Sequence, residues 1–182
     1  MRRILLCLVL LPLLLSWDCR PAAPPVSVSN QPLTSSGRPL KPLREMSWTD
    51  GESRVQKLGD LSGKAVILDF WATYCAPCKE EIPHLNSLLA KHGPENLQII
   101  GLNVGGAEDR ASIPKFIATT KIDYAIAFPE DELSRFIFGE NDAIPQTAVF
   151  DRKGTMITKI VGFGPAIRKE LDAAVEQALI SN

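Results

Sequence analysis

The sequence predicts an α/β fold, a central mixed β-sheet flanked by helices on both faces, and three observations carry that reading. Residues 65–71 (AVILDFW) and 97–104 (LQIIGLNV) are apolar runs of strand length without polar alternation, the pattern of strands covered on both faces. Between them Ile82, Leu85, Leu88 and Leu89 recur at the spacing of one helix face, so residues 77–92 form a helical crossover between parallel strands. Toward the C-terminus, residues 147–151 (TAVFD) and 155–161 flank Arg152-Lys153-Gly154, a hairpin that adds antiparallel strands to the sheet.

The chain has 182 residues and a formal net charge of −1. Without a basic field, composition argues against a nucleic-acid partner. The first segment is of another kind. Residues 1–19 (MRRILLCLVLLPLLLSWDC) place two arginines before an apolar run from Ile4 to Leu15, too short to span a bilayer but the length of a signal-peptide core. It reads as an export signal or membrane anchor. Cys19 stands where a bacterial lipoprotein carries its lipidated cysteine, although Ser16-Trp17-Asp18 departs from the residues such processing favours. Cleavage near Ala22 and Ala23, or retention as an anchor, are the other readings. Residues 20–44, rich in proline and serine, have too little apolar surface for a core and read as a flexible tether. Residues 45–182 are the globular domain. This order predicts an exported, periplasmic or extracytoplasmic domain associated with a membrane through its N-terminus.

Within the domain, Gly63-Lys64 turns into the first buried strand, and Pro83 interrupts the hydrogen-bond ladder of the helix that follows. Asp109 or Ser112 caps a helix carrying Ile113, Phe116 and Ile117. Residues 123–128 form a weaker strand and residues 131–138 a short helix. Pro165 opens a last helix whose Leu171, Val175, Ala178 and Leu179 face inward. There is no internal repeat.

Of the four cysteines, Cys7 and Cys19 lie in the leading segment, and Cys75 and Cys78 in the domain, within FWATYCAPCKEEIP. One close pair is not the framework of a disulfide-stapled scaffold. A structural zinc site wants four ligands, and the domain adds only His84, read as a surface residue, and His92, read as a helix-end residue. Placement favours exchange chemistry. Cys75 directly follows a buried strand and Cys78 lies in the first turn of the next helix, where free N–H groups and the macrodipole favour an anion. A thiolate is the species that attacks a disulfide, and Cys78 is placed to resolve the mixed disulfide. Pro77 fits the first turn and stiffens it. Asp69, a carboxylate inside AVILDFW, is a candidate acceptor for the proton of Cys78. Glu81 is either a second acid near the thiols or, with Glu80, a dipole-friendly acid of the first turns. Ile144-Pro145 is a candidate cis bond beside the site, or an ordinary strand-opening proline.

Together these residues resemble the thioredoxin superfamily, and within it the exported TlpA/ResA-like thiol–disulfide oxidoreductases. The run DFWATYCAPCKEEIP is similar to the F-W-A-x-W-C-x-P-C motif, with Trp71 and Pro77 in place, and Glu81 and Pro83 fall on the C-x-x-C-x-x-E-x-P pattern. Asp69 falls where thioredoxins carry a buried aspartate and TlpA-like proteins often asparagine. Pro145 falls on the cis-proline facing the thiols. Tyr74 stands where tryptophan is usual and Gly105-Gly106 where an acidic residue is common, departures that bear on the partner groove. The resemblance implies a thioredoxin-like fold and a redox-active Cys75–Cys78 disulfide, with Cys75 attacking and Cys78 resolving. It also implies proton handling by Asp69 and Glu81, and a site bordered by Ile144 and Pro145. No cofactor or metal is implied. The partners would be protein thiols and disulfides and an upstream membrane electron donor, served by a monomeric domain. A reductase of particular thiols, such as those of apocytochrome c before haem attachment, is the expected role. A thiol peroxidase and a copper-binding chaperone are the alternatives.

Overall fold

The computed structural model describes residues 41–181. The expected export signal, Cys19 and nearly all of the expected tether lie outside that range. Among the described residues the chain runs β1 (Ser47–Asp50), β2 (Val55–Lys57), β3 (Ala65–Trp71), α1 (Ala76–His92), β4 (Leu97–Asn103) and α2 (Gly106–Ile117). It continues through β5 (Ala125–Pro129), α3 (Asp131–Phe138), β6 (Gln146–Phe150), β7 (Met156–Val161) and α4 (Pro165–Ile180). The strands form one seven-stranded sheet in the order β2-β1-β5-β4-β3-β6-β7. This is the mixed α/β architecture the apolar pattern predicts.

β3 is buried at every position because it has neighbours on all sides. It pairs in parallel with β4, from Ala65 opposite Leu97 to Trp71 opposite Asn103, and antiparallel with β6. A strand so enclosed has no face for water, which is why its sequence lacks alternation. Alternate side chains still go to different cores. Val66, Leu68 and Phe70 pack with Trp48, Leu133, Ile137 and Phe150 on the face covered by α3. Ile67 packs with Leu85, Leu88, Leu171 and Val175 on the face covered by α1 and α4.

Four expectations are corrected. The β1–β2 hairpin ahead of the first predicted strand was not expected; only Trp48 of its residues is buried, too little for an apolar pattern. The helix expected to start at Asp109 or Ser112 starts at Gly106, and Asp109 lies inside it, drawn inward by hydrogen bonds from Thr73 and Asn103. The strand expected at residues 123–128 is Ala125–Pro129, because the preceding residues are engaged elsewhere: the Asp123 N–H donates to Asn86 Oδ1, and Tyr124 turns toward Asp69. His84 is buried, not on the surface. Arg168 Nε donates to its Nδ1 at 3.0 Å, its Nε2 lies 2.8 Å from Asp172 Oδ1, and its ring stacks near Phe163, so it joins α1 to α4.

Leu171 is fully buried whereas Ile180, in the same helix, is 77% exposed. Leu171→Ala is expected to destabilise by about 2–5 kcal/mol and Ile180→Ala by no more than about 0.5 kcal/mol, read as the difference in urea unfolding free energy.

Candidate active site

β3 ends at Trp71, and the chain reaches α1 through Ala72, Thr73 and Tyr74. Cys75 is the N-cap of α1, extended at φ −79° and ψ 108°, and its Sγ accepts the Cys78 N–H at 3.2 Å. A sulfur thus fills the place usually held by a hydroxyl or carboxylate oxygen. Pro77 occupies the first turn, where a missing N–H leaves nothing unpaired. Cys75 and Cys78 are joined in a disulfide. Both pack with Trp71, Ile82, Phe116 and Ile144, and the Trp71 and Phe116 ring centroids are 5.1 Å apart. The Ile144–Pro145 bond is cis, and the Pro145 carbonyl accepts the Gly162 N–H at 2.8 Å.

Beside this layer lie two buried carboxylates. Asp69 is two residues before Trp71 and so on the same face of β3. Thr147 of β6 is its cross-strand partner, and the Thr147 hydroxyl donates to Glu81 Oε1 at 2.7 Å, which brings α1's acid over the Asp69–Thr147 pair. Glu81 therefore points inward, unlike its neighbour Glu80, which is exposed. Burial, and then the nearby Glu81 carboxylate, push Asp69 well above the usual carboxylate range, against a hydrogen bond from Tyr124 that pulls it down. Burial raises Glu81 to about 7, opposed by the Thr147 bond. Ionising either group removes charge from water without a cation to meet it, so both hold protons more tightly than free acids.

A third group fixes the loop in front of the disulfide. Asp109 of α2 accepts from the Thr73 N–H at 3.2 Å, from the Thr73 hydroxyl, and from Asn103 Nδ2 at 2.6 Å. Burial alone would raise Asp109, but these donors outweigh it and hold its carboxyl below the ordinary value. The next residue, Tyr74, is 69% exposed and borders an open depression of about 360 Å³ with Val104, Phe138, Asp142, Ala143 and Ile144.

Of the residues singled out in the sequence, Cys75, Cys78, Trp71 and Ile144 share one cluster, and Asp69 and Glu81 are close enough for the charge of Glu81 to act on Asp69. Cys19 lies outside the described residues. Tyr124, Thr147, Asn103 and Asp109 were missed. Tyr124, Thr147 and Asp109 act through contacts with distant segments and Asn103 acts through Asp109; Thr147, within TAVFD, and Asp109, as a helix-cap candidate, were the two that left a trace in the pattern. Among the described residues no three His, Cys, Asp or Glu side chains stand together as a metal site.

The profile of the AhpC/TSA family matches residues 40–159, and the chain belongs to that family, whose thioredoxin-like fold it shares. It is similar to the thiol-disulfide oxidoreductase ResA of Bacillus cereus (strain ZK / E33L), 29% identical over 116 residues, covering 63% of this chain and 64% of that protein. ResA of Geobacillus thermodenitrificans (strain NG80-2) is 30% identical over 114 residues, with the same coverage. The chain thus spans about 64% of the length of these relatives. Among solved structures, a thiol:disulfide interchange protein of the thioredoxin family from Chlorobium tepidum TLS superposes with a TM-score of 0.61 at 28% identity, covering 78% of this chain and 97% of that one.

Glu81 makes a pH test. Its folded value is raised from 4.5 to about 7, so the folded state keeps a proton that the unfolded chain loses between those limits. The Glu81 contribution to stability therefore falls as pH rises through that window and levels off above it, while Asp69, raised in the same sense chiefly by burial, adds to the fall. His84, held below its ordinary value chiefly by burial, works in the opposite sense below about 6.5. Subtracting Glu81→Gln from wild type removes that contribution. The difference in urea unfolding free energy, with the disulfide intact, is expected to turn against wild type by up to about 1.4 kcal/mol per pH unit across the window.

Proposed function

We propose that this protein is a thiol–disulfide oxidoreductase that exchanges electrons with protein thiols and disulfides outside the cytoplasm, running as a reductase. The observation that carries the proposal is a cysteine pair at a helix N-cap beside two buried acids. The relatives named as thiol-disulfide oxidoreductases support it.

In the reduced protein Cys75 is the thiolate, favoured by the α1 N-terminus and the Cys78 N–H. Cys75 is 6% exposed against 1% for Cys78, so it is the sulfur a substrate reaches first. Its thiolate attacks a substrate disulfide, forming a mixed disulfide and releasing one substrate thiolate, which takes a proton from water. Cys78 then gives its proton to the ionised member of the Asp69–Glu81 pair and attacks Cys75 Sγ. The second substrate thiolate leaves, the Cys75–Cys78 bond closes, and two electrons have passed to the substrate. The acid pair returns its proton to solvent or to the departing thiolate. Ile144 and Pro145 border the sulfurs and hold the substrate strand.

The N-terminal segment fits a domain tethered at a membrane, supplied by a membrane electron donor and serving thiols such as those of apocytochrome c. Thiol peroxidase chemistry is less favoured by the named relatives. A copper chaperone would want a third ligand, and both ring nitrogens of His84 face other side chains.

Wild type is expected to reduce a disulfide-bonded test peptide with a thiol donor. Cys75→Ser should lose this activity to the uncatalysed level, and Cys78→Ser should accumulate a dithiothreitol-sensitive mixed disulfide on a non-reducing gel. If Cys78→Ser traps nothing and wild type adds no rate over the donor alone, the reading fails. A reduction potential near that of DsbA, about −120 mV, instead of near thioredoxin's, about −270 mV, would reverse the direction.

A further inference from the structure

The acid pair has a third member. Each carboxylate receives one hydroxyl: Glu81 Oε1 takes that of Thr147 at 2.7 Å, and Asp69 Oδ2 takes that of Tyr124 at 3.4 Å. The remaining oxygens, Asp69 Oδ1 and Glu81 Oε2, are buried and unpartnered. The two donors are unequal: the Thr147 bond is at the optimum for O–H···O, whereas the Tyr124 contact is longer than the usual range of about 2.5–3.0 Å and correspondingly weak.

Tyr124 reaches this position through built features. Gly101 is the β4 partner of Asp69, and a Cβ there would lie 2.9 Å from Tyr124 Cε2 and 3.0 Å from Trp71 Nε1, so the glycine is the notch through which the phenol passes. The loop that carries it is tied to α1, since Asn86 Nδ2 donates to the Lys121 carbonyl at 2.9 Å and Asn86 Oδ1 accepts the Asp123 N–H at 3.0 Å. The same helix therefore presents Glu81 and holds Tyr124 in place. Burial and the two acids raise the phenol well above its ordinary value, so it remains a donor.

We propose that Tyr124 is the positioning residue of this acid pair: its hydroxyl keeps Asp69 able to release a proton, so that Asp69 and Glu81 titrate as one unit. Without it Asp69 would hold its proton more tightly beside Glu81. The titratable groups facing Asp69 are Glu81 from α1 and Tyr124 from the loop before β5, while β6 contributes the neutral Thr147. Cys75 and Cys78 join them on reduction, when the disulfide takes two electrons and one proton to give the Cys75 thiolate and the Cys78 thiol. The consequence for exchange rests on the proposed function, whereas the titration does not.

The test is an infrared pH titration of the protonated carboxyl bands in the oxidised full chain, with Asp69→Asn identifying the Asp69 band. Tyr124→Phe keeps the ring in its notch and removes the hydroxyl. It is expected to tighten proton binding at Asp69 by roughly three- to tenfold, and to leave the remaining Glu81 band unmoved when Asp69→Asn is already present. Replacing Tyr124 with difluorotyrosine, a stronger donor, should shift Asp69 the other way. In reduced protein the acid limb of the Cys78 resolving step should follow the same order. An Asp69 band that ignores Tyr124→Phe, or a shift that persists in the Asp69→Asn background, overturns the proposal. A band that shifts in a chain without exchange activity would keep the positioning role and overturn the function.

Discussion

β3 is hydrogen-bonded along both edges and covered on both faces, and its C-terminal end must hand the chain to α1 within three residues. That confinement decides where the sulfurs can be. The strand cannot drift, so the first residue after the turn becomes the helix cap, and the cap residue is Cys75. The otherwise unpaired N–H of Cys78 then meets a sulfur. Cys78, one turn on, is carried inward onto the Trp71 and Phe116 layer. One sulfur is left at the rim and the other beneath it. Polarity between the two thiols follows from helix geometry and needs no further device.

The two acids are a cost accepted at the same place. A carboxylate at Asp69 sits in a strand whose other side chains are all apolar, and Glu81 leaves the solvent side of α1 to join it. Neither gains a cation, and each keeps an unpartnered oxygen. Apolar residues of similar size would make a more stable domain at neutral pH. What burial leaves is two carboxyls that hold their protons more tightly than free acids, Glu81 up to about 7. Hydroxyl donors from Tyr124 and Thr147 offset part of the effect of that burial.

The surroundings divide into braced and open parts. Thr73 is held by Asp109 through both its backbone and its hydroxyl, and Asn103 fixes Asp109 from the end of β4. His84 ties the middle of α1 to α4 through Arg168 and Asp172. Between these anchors Tyr74 projects into solvent next to the depression lined by Phe138 and Ile144. A rigid disulfide with one exposed aromatic beside it suits docking of a chain segment, since the reacting atoms need not move to meet it.

What the sequence by itself determined was whatever depends on neighbours along the chain. Full burial of β3 and near-full burial of β4, the apolar face of α1, the closing hairpin and the thiols at a strand–helix junction all follow from periodicity and from which residues adjoin. The β1–β2 hairpin escaped because one buried Trp48 makes no pattern. The inward turn of Glu81, the burial of His84 and the early start of α2 were decided only by the tertiary structure. Each depends on a partner from a distant segment: Thr147 for Glu81, Arg168 for His84, Thr73 for Asp109. A lone acid in an apolar run marks where such a partner is needed. Only packing brings Gly101's notch and the Tyr124 hydroxyl to Asp69, because a contact between residues far apart in the chain leaves no period to read.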